Sequence, residues 1–190
     1  MKKFIFLIML SLSTFVYAKE FYTGDINAKA GISVGKITIE DNYDTISFGG
    51  GFELGTTHLF SINEIVSLGF SANIDYALLN IAEVEEGQNN SAAFLFGPTI
   101  ALNASDICQF DFTFNLGTNL IWNMQSYGVM GFAYGFEIKT KFIPQKRISP
   151  ILAYKFTTCT PENDILQGSH PGYKIKFTNN SINLGLALNF

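Results

Sequence analysis

The chain has 190 residues, room for one domain, and carries a formal charge of −4 with only 15% charged residues. That charged share is well below the roughly 25% of ordinary soluble domains, and the acid excess argues against a nucleic-acid partner. No apolar run beyond the amino terminus approaches the roughly 20 residues of a membrane helix, which leaves a densely buried globule or a membrane barrel.

Residues 1–18 read as a cleaved export signal. Lys2 and Lys3 form a basic start, Phe4 to Leu12 an apolar core, and Val16-Tyr17-Ala18 a small-residue cleavage site. Processing after Ala18 leaves 10 Lys and Arg against 16 Asp and Glu, a net charge of −6. The mature chain, 19–190, reads as a single domain.

After a lead-in over 19–27, the first strand is expected at about 28–39. Ala28, Ala30, Ile32 and Val34 alternate with Lys29, Gly31, Ser33 and Gly35. The apolar phase then slips to Ile37 and Ile39, which predicts a bulge, or the end of the membrane span, near Gly35-Lys36. A polar loop covers 40–45. The second strand, about 46–60, sets Ile46, Phe48, Phe52, Leu54 and Phe60 against Ser47, Gly49, Gly51, Glu53 and Gly55. Residues 61–64 make a tight turn. The third strand, about 65–79, alternates Val66, Leu68, Phe70, Ala72, Ile74, Tyr76 and Leu78 with small polar residues and Asp75.

Residues 80–91, with Glu83, Glu85, Glu86 and Gly87, read as an exposed loop. The fourth strand, about 92–104, carries Phe94, Phe96, Ile100 and Leu102 on one face, with Pro98 costing one ladder hydrogen bond. After a short turn, the fifth strand, about 108–123, opposes Phe110, Phe112, Phe114, Leu116, Leu120 and Trp122 to Asp111, Thr113, Asn115 and their neighbours. A turn at 124–128 leads to the sixth, where Met130, Phe132, Tyr134, Phe136, Ile138 and Phe142 oppose Glu137, Lys139 and Lys141.

A compact turn at 144–147 precedes the seventh strand, about 148–159, with Ile148, Leu152, Tyr154 and Phe156 opposite Ser149, Ala153, Lys155 and Thr157. Residues 160–172 form a long loop. The eighth strand runs from about Tyr173 to Phe190, and its phase changes at Thr178-Asn-Asn-Ser181. Either a bulge sits there or a turn raises the count to nine. Eight strands predict an all-β, antiparallel, up-and-down barrel. Connections are short on one side and mostly longer on the other, the asymmetry of outer-membrane barrels.

One face of every strand is Phe, Leu, Ile and Tyr; the other is Gly, Ser, Asn and Thr. Small residues suit the narrow inside of an eight-strand barrel, and large aromatics do not. The apolar face is therefore assigned outward, to lipid. Glu53, Asp75, Asp111, Glu137, Lys139, Lys141 and Lys155 then all point inward. This avoids the cost of about 2–4 kcal/mol for a cation facing mid-bilayer lipid. Buried charges must pair, so these seven are expected to form an interior ion-paired plug rather than to line an open pore. Trp122, Tyr76 and Tyr154 are expected near the membrane interface.

Enzymatic chemistry has thin support. Ser169-His170 with Glu162 or Asp164 is the one local nucleophile–base arrangement suited to an acyl ester, and His58 lies on the outward face near a turn. An ordinary polar loop is the better account of the first, so the expectation is no enzyme, no metal and no cofactor. Cys108 and Cys159 are expected at opposite ends of the barrel, too far apart for a disulfide.

The last ten residues alternate without a break: Ile182, Leu184, Leu186, Leu188 and Phe190 on one face. This stretch resembles the carboxy-terminal signature of bacterial outer-membrane barrels. With the export signal, eight strands and loop asymmetry, the chain resembles the family of the OmpA transmembrane domain, OmpX and the opacity-type surface proteins. The resemblance implies residence in the cell outer membrane, contact with its lipids, and reading of Leu186, Leu188 and Phe190 by the barrel-assembly machinery. It also implies surface loops available to host molecules. The same barrel hosts adhesins, narrow channels and enzymes, so the activity is left open. A non-enzymatic surface barrel is the first expectation, a narrow solute channel the second, and a lipid-modifying enzyme the third.

Overall fold

Period-two alternation builds strands, and every element among the described residues is a strand. The computed structural model describes residues 22–39, 43–81, 88–123, 128–161 and 175–190. The cleavage site after Ala18, the acidic segment Glu83–Glu86 and the Ser169-His170 pair lie outside the described residues. The strands are β1 (Tyr22–Ile39), β2 (Tyr43–Ser61), β3 (Val66–Ile81), β4 (Gln88–Ser105), β5 (Cys108–Asn123), β6 (Gly128–Phe142), β7 (Ile148–Pro161) and β8 (Ile175–Asn189). Each pairs antiparallel with the next, and β8 pairs with β1, so the sheet closes on itself. Closure leaves no unpaired edge, which a sheet in lipid requires.

Several boundaries differ from the sequence reading. β1 begins at Tyr22, inside what reads as a lead-in, because residues 22–27 pair with the last residues of β2. β3 and β4 run to Ile81 and from Gln88, which shortens the expected 80–91 loop to 82–87. There the ladder continues through polar residues such as Asn80 and Asn90, which have no apolar alternation to signal a strand. The expected bulge near Gly35-Lys36 is absent, since β1 keeps one register with β2 from Tyr22 to Ile39. β8 is likewise one unbroken strand through Thr178–Ser181. The register shift falls instead between Asn103 and Ser105, beside the β4–β5 turn. At Pro98 the β4–β5 register is kept while the pairing skips Gly97-Pro98.

The winding of the barrel follows from the registers. Paired residues lead from Asn27 through Gly55, Asn73, Leu95, Gly117, Ala133, Cys159 and Phe177 back to β1 at Ile37, ten residues further along. That stagger tilts the strands by about 35–45° to the barrel axis. Odd-numbered residues face inward and even-numbered residues outward in the spanning part of every strand. The outer wall is mainly apolar: Ile32 and Leu184 are each 67% exposed. Large aliphatic and aromatic side chains so fully exposed on every strand require lipid rather than water around them.

The start of β1, the end of β8 and the short connections 62–65, 106–107 and 143–147 share one end, here the terminal end. An aromatic group caps the outer wall there. Tyr22, His58, Phe60, Phe70 and Phe190 lie against one another, with His58 stacked on Phe70 at 5.1 Å. The Tyr22 hydroxyl meets His58 Nδ1, and Thr56 Oγ1 lies 3.1 Å from Nε2. At the loop end Tyr76 packs on Trp122. Tyr154 sits mid-strand in β7, not at an interface as its sequence position suggests, and its hydroxyl donates to Asn180 within the wall at 2.8 Å.

Candidate functional site: the barrel interior

Inward residues of the eight strands divide the lumen into three levels. Nearest the terminal end lies a polar cavity of about 710 Å³, lined by Ser67, Asn103, Gln109, Lys141, Arg147 and Asn189 among others. Its inner limit is the first ion-paired group. Lys141 Nζ lies 2.6 Å and Lys139 Nζ 3.5 Å from Asp25 Oδ2, and Lys139 lies 3.1 Å from Asp111. Lys139 also donates to Thr57 Oγ1 at 2.8 Å. Thr57 belongs to a row of hydroxyls, Thr57, Ser71, Thr99 and Thr113, that crosses β2 to β5 at separations of 2.8–3.2 Å.

The second group lies further in. Glu53 takes Lys29 at 2.6 Å and Lys155 at 3.2 Å, Lys29 also reaches Glu137, and Lys155 lies 2.7 Å from Asp75. Glu53 and Asp75 face each other directly across β2 and β3. Each lysine therefore bridges carboxylates that would otherwise repel. In a medium this dry, an ammonium without its carboxylates would cost several kcal/mol to bury. The amide of Asn115, paired with Gly135 across β5 and β6, is wholly buried.

The third level is mostly apolar, with the hydrogen-bonded pair Ser91 and Asn119 set into it. Ala77, Leu79, Ala93, Leu95, Ile121, Ala133, Cys159 and Phe177 form one buried cluster, joined by Ile37 and Val129. These residues come from β1 and β3 to β8, so they cross the lumen at the loop end. Leu79, Leu95 and Phe177 are almost completely buried. The inside of the barrel thus changes from charged to oily along its axis. This is what the sequence shows as phase slips at 35–37 and 177–181: the strand keeps its pleat while the polarity of its inner face inverts.

All seven charged residues expected inside are placed there: Glu53, Asp75, Asp111, Glu137, Lys139, Lys141 and Lys155. Two more belong to the same network, Asp25 and Lys29. Lys29 carries a sequence signal, since it alternates with Ala28 and Ala30. Asp25 carries a weak one, because Gly24 and Asn27 beside it resemble a linker. Among the described residues no group of three or more His, Cys, Asp and Glu side chains is arranged to hold a metal ion. Cys108 and Cys159 are unpaired thiols, the first half-buried at the terminal end and the second buried in the apolar level. The Ser169-His170 arrangement with Glu162 or Asp164 lies outside the described residues, and His58 is engaged in the aromatic group.

Comparison with solved structures places this architecture. The chain is similar in fold to Neisserial surface protein A, with a TM-score of 0.59 and 11% identity over 87% of this chain and 97% of that one. Weaker similarities reach Ail, the attachment invasion locus protein of Yersinia pestis (TM-score 0.44, 14% identity, 88% and 99% of the two chains). They also reach the outer membrane enzyme PagL (TM-score 0.47, 11% identity, 80% and 97%). No protein-family model matches the chain, and no curated protein matches it in sequence. At these identities the likeness speaks for the fold alone, and the fold is that of the small outer-membrane β-barrels.

Proposed function

We propose that this protein is a non-enzymatic outer-membrane barrel that displays its longer connections, 82–87 and 162–174, outside the cell. In this orientation the terminal end faces the periplasm. The observation that carries the reading is the apolar level of Leu79, Leu95, Ile121, Cys159 and Phe177 across the loop end of the lumen, backed by buried ion pairs. An ion entering from that side meets first an oily barrier and then charges already neutralised by their neighbours. Neither supports conduction. With the lumen closed, what such a barrel offers the outside is its connections, and a rigid closed sheet is a suitable base for variable loops. Host surface molecules are then the natural partners, and Leu186, Leu188 and Phe190 supply the assembly signal.

Two measurements test this together. Protease treatment of intact cells should cut within 82–87 and 162–174 and nowhere in the described strands. In planar bilayers the purified barrel should give no stable single-channel steps. Large, lasting steps would favour the narrow-channel alternative, and loss of a deacylase activity on replacing His170 by Ala would favour a lipid-modifying enzyme.

A further inference from the structure

The strands carry few outward charges. Among the described strand residues, the even-numbered, outward positions hold only three: Lys36, Asp44 and Lys176. All three lie at the loop end, on the adjoining strands β2, β1 and β8. Lys36 is paired with Thr178 and Lys176 with Thr38, so the two lysines are diagonal neighbours on the same face of β1–β8. Diagonal neighbours lie about 7–8 Å apart, within reach of one another's long side chains.

Their height is fixed by the wall below. Outward positions of β1 beneath Lys36 are Val34, Ile32, Ala30, Ala28 and Ile26, all apolar. Ten residues of strand span about 33 Å; at a tilt near 40° that is about 25 Å of thickness, the height of the apolar band of such barrels. Counted from Ile26, the band therefore ends at Lys36. On β8, Leu188, Leu186, Leu184 and Ile182 lead upward in the same way to polar Asn180 and Thr178, and then to Lys176. Both ammonium groups thus stand at the level of lipid headgroups, above lipid-facing aliphatics and not among the connections.

We propose that Lys36 and Lys176 form a two-cation seat for the phosphate of an outer-leaflet lipid headgroup. The reading rests on the wall being lipid-facing and goes beyond the display of loops. Two flexible ammonium groups on one face suit a tetrahedral anion that can be approached from two sides, and each lysine near an anionic lipid surface adds attraction. Asp44 competes. It lies 2.8 Å from Lys36 and accepts a hydrogen bond from Thr38 as well. Lipid phosphate must therefore share Lys36 with a carboxylate, while Lys176 has no ion-pair partner among the described residues.

The test uses the full mature barrel in phosphatidylcholine nanodiscs, doped with a diphosphorylated glucosamine lipid or with its dephosphorylated form. Lipid retained on the barrel after detergent extraction is counted by native mass spectrometry. The double variant Lys36→Gln, Lys176→Gln should retain the phosphorylated lipid about tenfold less than wild type. Asp44→Asn should retain more than wild type, and the dephosphorylated lipid should show no difference among the three. Equal retention by wild type and double variant, or equal retention of the two lipids by wild type, overturns the seat. Heat-modifiable gel migration shows separately whether each variant is a folded, membrane-inserted barrel. A wild type that fails to insert sinks the lipid-facing wall itself.

Discussion

Lys29 on β1 and Glu137 on β6 are 108 residues apart in sequence, yet the lysine ammonium donates to the carboxylate across the inside of the barrel. The contact ties opposite walls together through a shared charge. Glu53 and Lys155 extend it on either side.

Breaking that network on one side leaves charges stranded. Lys155→Ala leaves Glu53 and Asp75 facing each other with one neighbouring cation fewer. The expected loss is about 3–5 kcal/mol of unfolding free energy. Urea unfolding in lipid vesicles, followed by the fluorescence of the single Trp122, measures it. Replacing Asp75 together with Lys155 by apolar residues of similar volume should recover most of the loss. A Lys155→Ala loss below about 1 kcal/mol, the range of exposed pairs, would mean that water screens the cluster.

Thinning the apolar level should open the lumen. Leu79→Ala with Phe177→Ala removes two of the largest buried side chains at the loop end. Each truncation is expected to cost about 2–5 kcal/mol. In planar bilayers the double variant should show brief conductance events that wild type lacks. If it stays silent while folded, the ion pairs below are the true barrier, and Lys29→Ala added to the double variant should then open it.

The two thiols should report their levels. Cys159 is fully buried in the apolar cluster, and Cys108 is half-buried at the terminal end. A water-soluble maleimide should label one cysteine per folded barrel and two after unfolding. Labelling of Cys159 in the folded state, read by peptide mass, would contradict a sealed loop end.

The seam between first and last strands rests on Phe190. Its backbone exchanges hydrogen bonds with Gly24 at 3.0 and 3.1 Å, and its ring lies where a β-carbon on Gly24 would stand, 2.6 Å away. Gly24→Val should therefore displace the ring and lower the refolding yield in vesicles. Phe190→Ala is expected to behave otherwise. It keeps the seam's backbone bonds, so refolding from urea should be nearly normal, while the amount assembled in cells should fall several-fold if the residue is read as an assembly signal. Equal loss in both settings would assign Phe190 to packing alone.

Much of the fold is legible in the sequence because a pleated strand in lipid keeps large apolar residues on its outer face across the apolar band. Phe48, Phe52, Ile74, Phe94, Phe132 and Leu184 mark that face directly. The inner face is harder. It obeys no single polarity, since Lys29 and Leu79 are both inward, and only depth along the barrel separates them. Hence Ile37 and Phe177 look like errors of phase. Pairing partners are also hidden: period two says that Lys139 and Asp25 point inward, but not that the winding brings them together. The outer reaches of β3 and β4 escape notice because Asn80 and Asn90 lie beyond the apolar band, where hydrogen bonding alone sustains the strand.

The ten-residue climb of the paired path has a consequence for change in this molecule. Every strand is locked to two neighbours and the circuit must meet itself, so no single register can move alone. Inserting one residue within a strand would turn every later side chain of that strand over, bringing phenylalanine into the lumen and lysine into oil. Growth and shrinkage are therefore confined to the connections. Diversity in such a protein should accumulate there as length, and in the walls only as exchange of one residue for another.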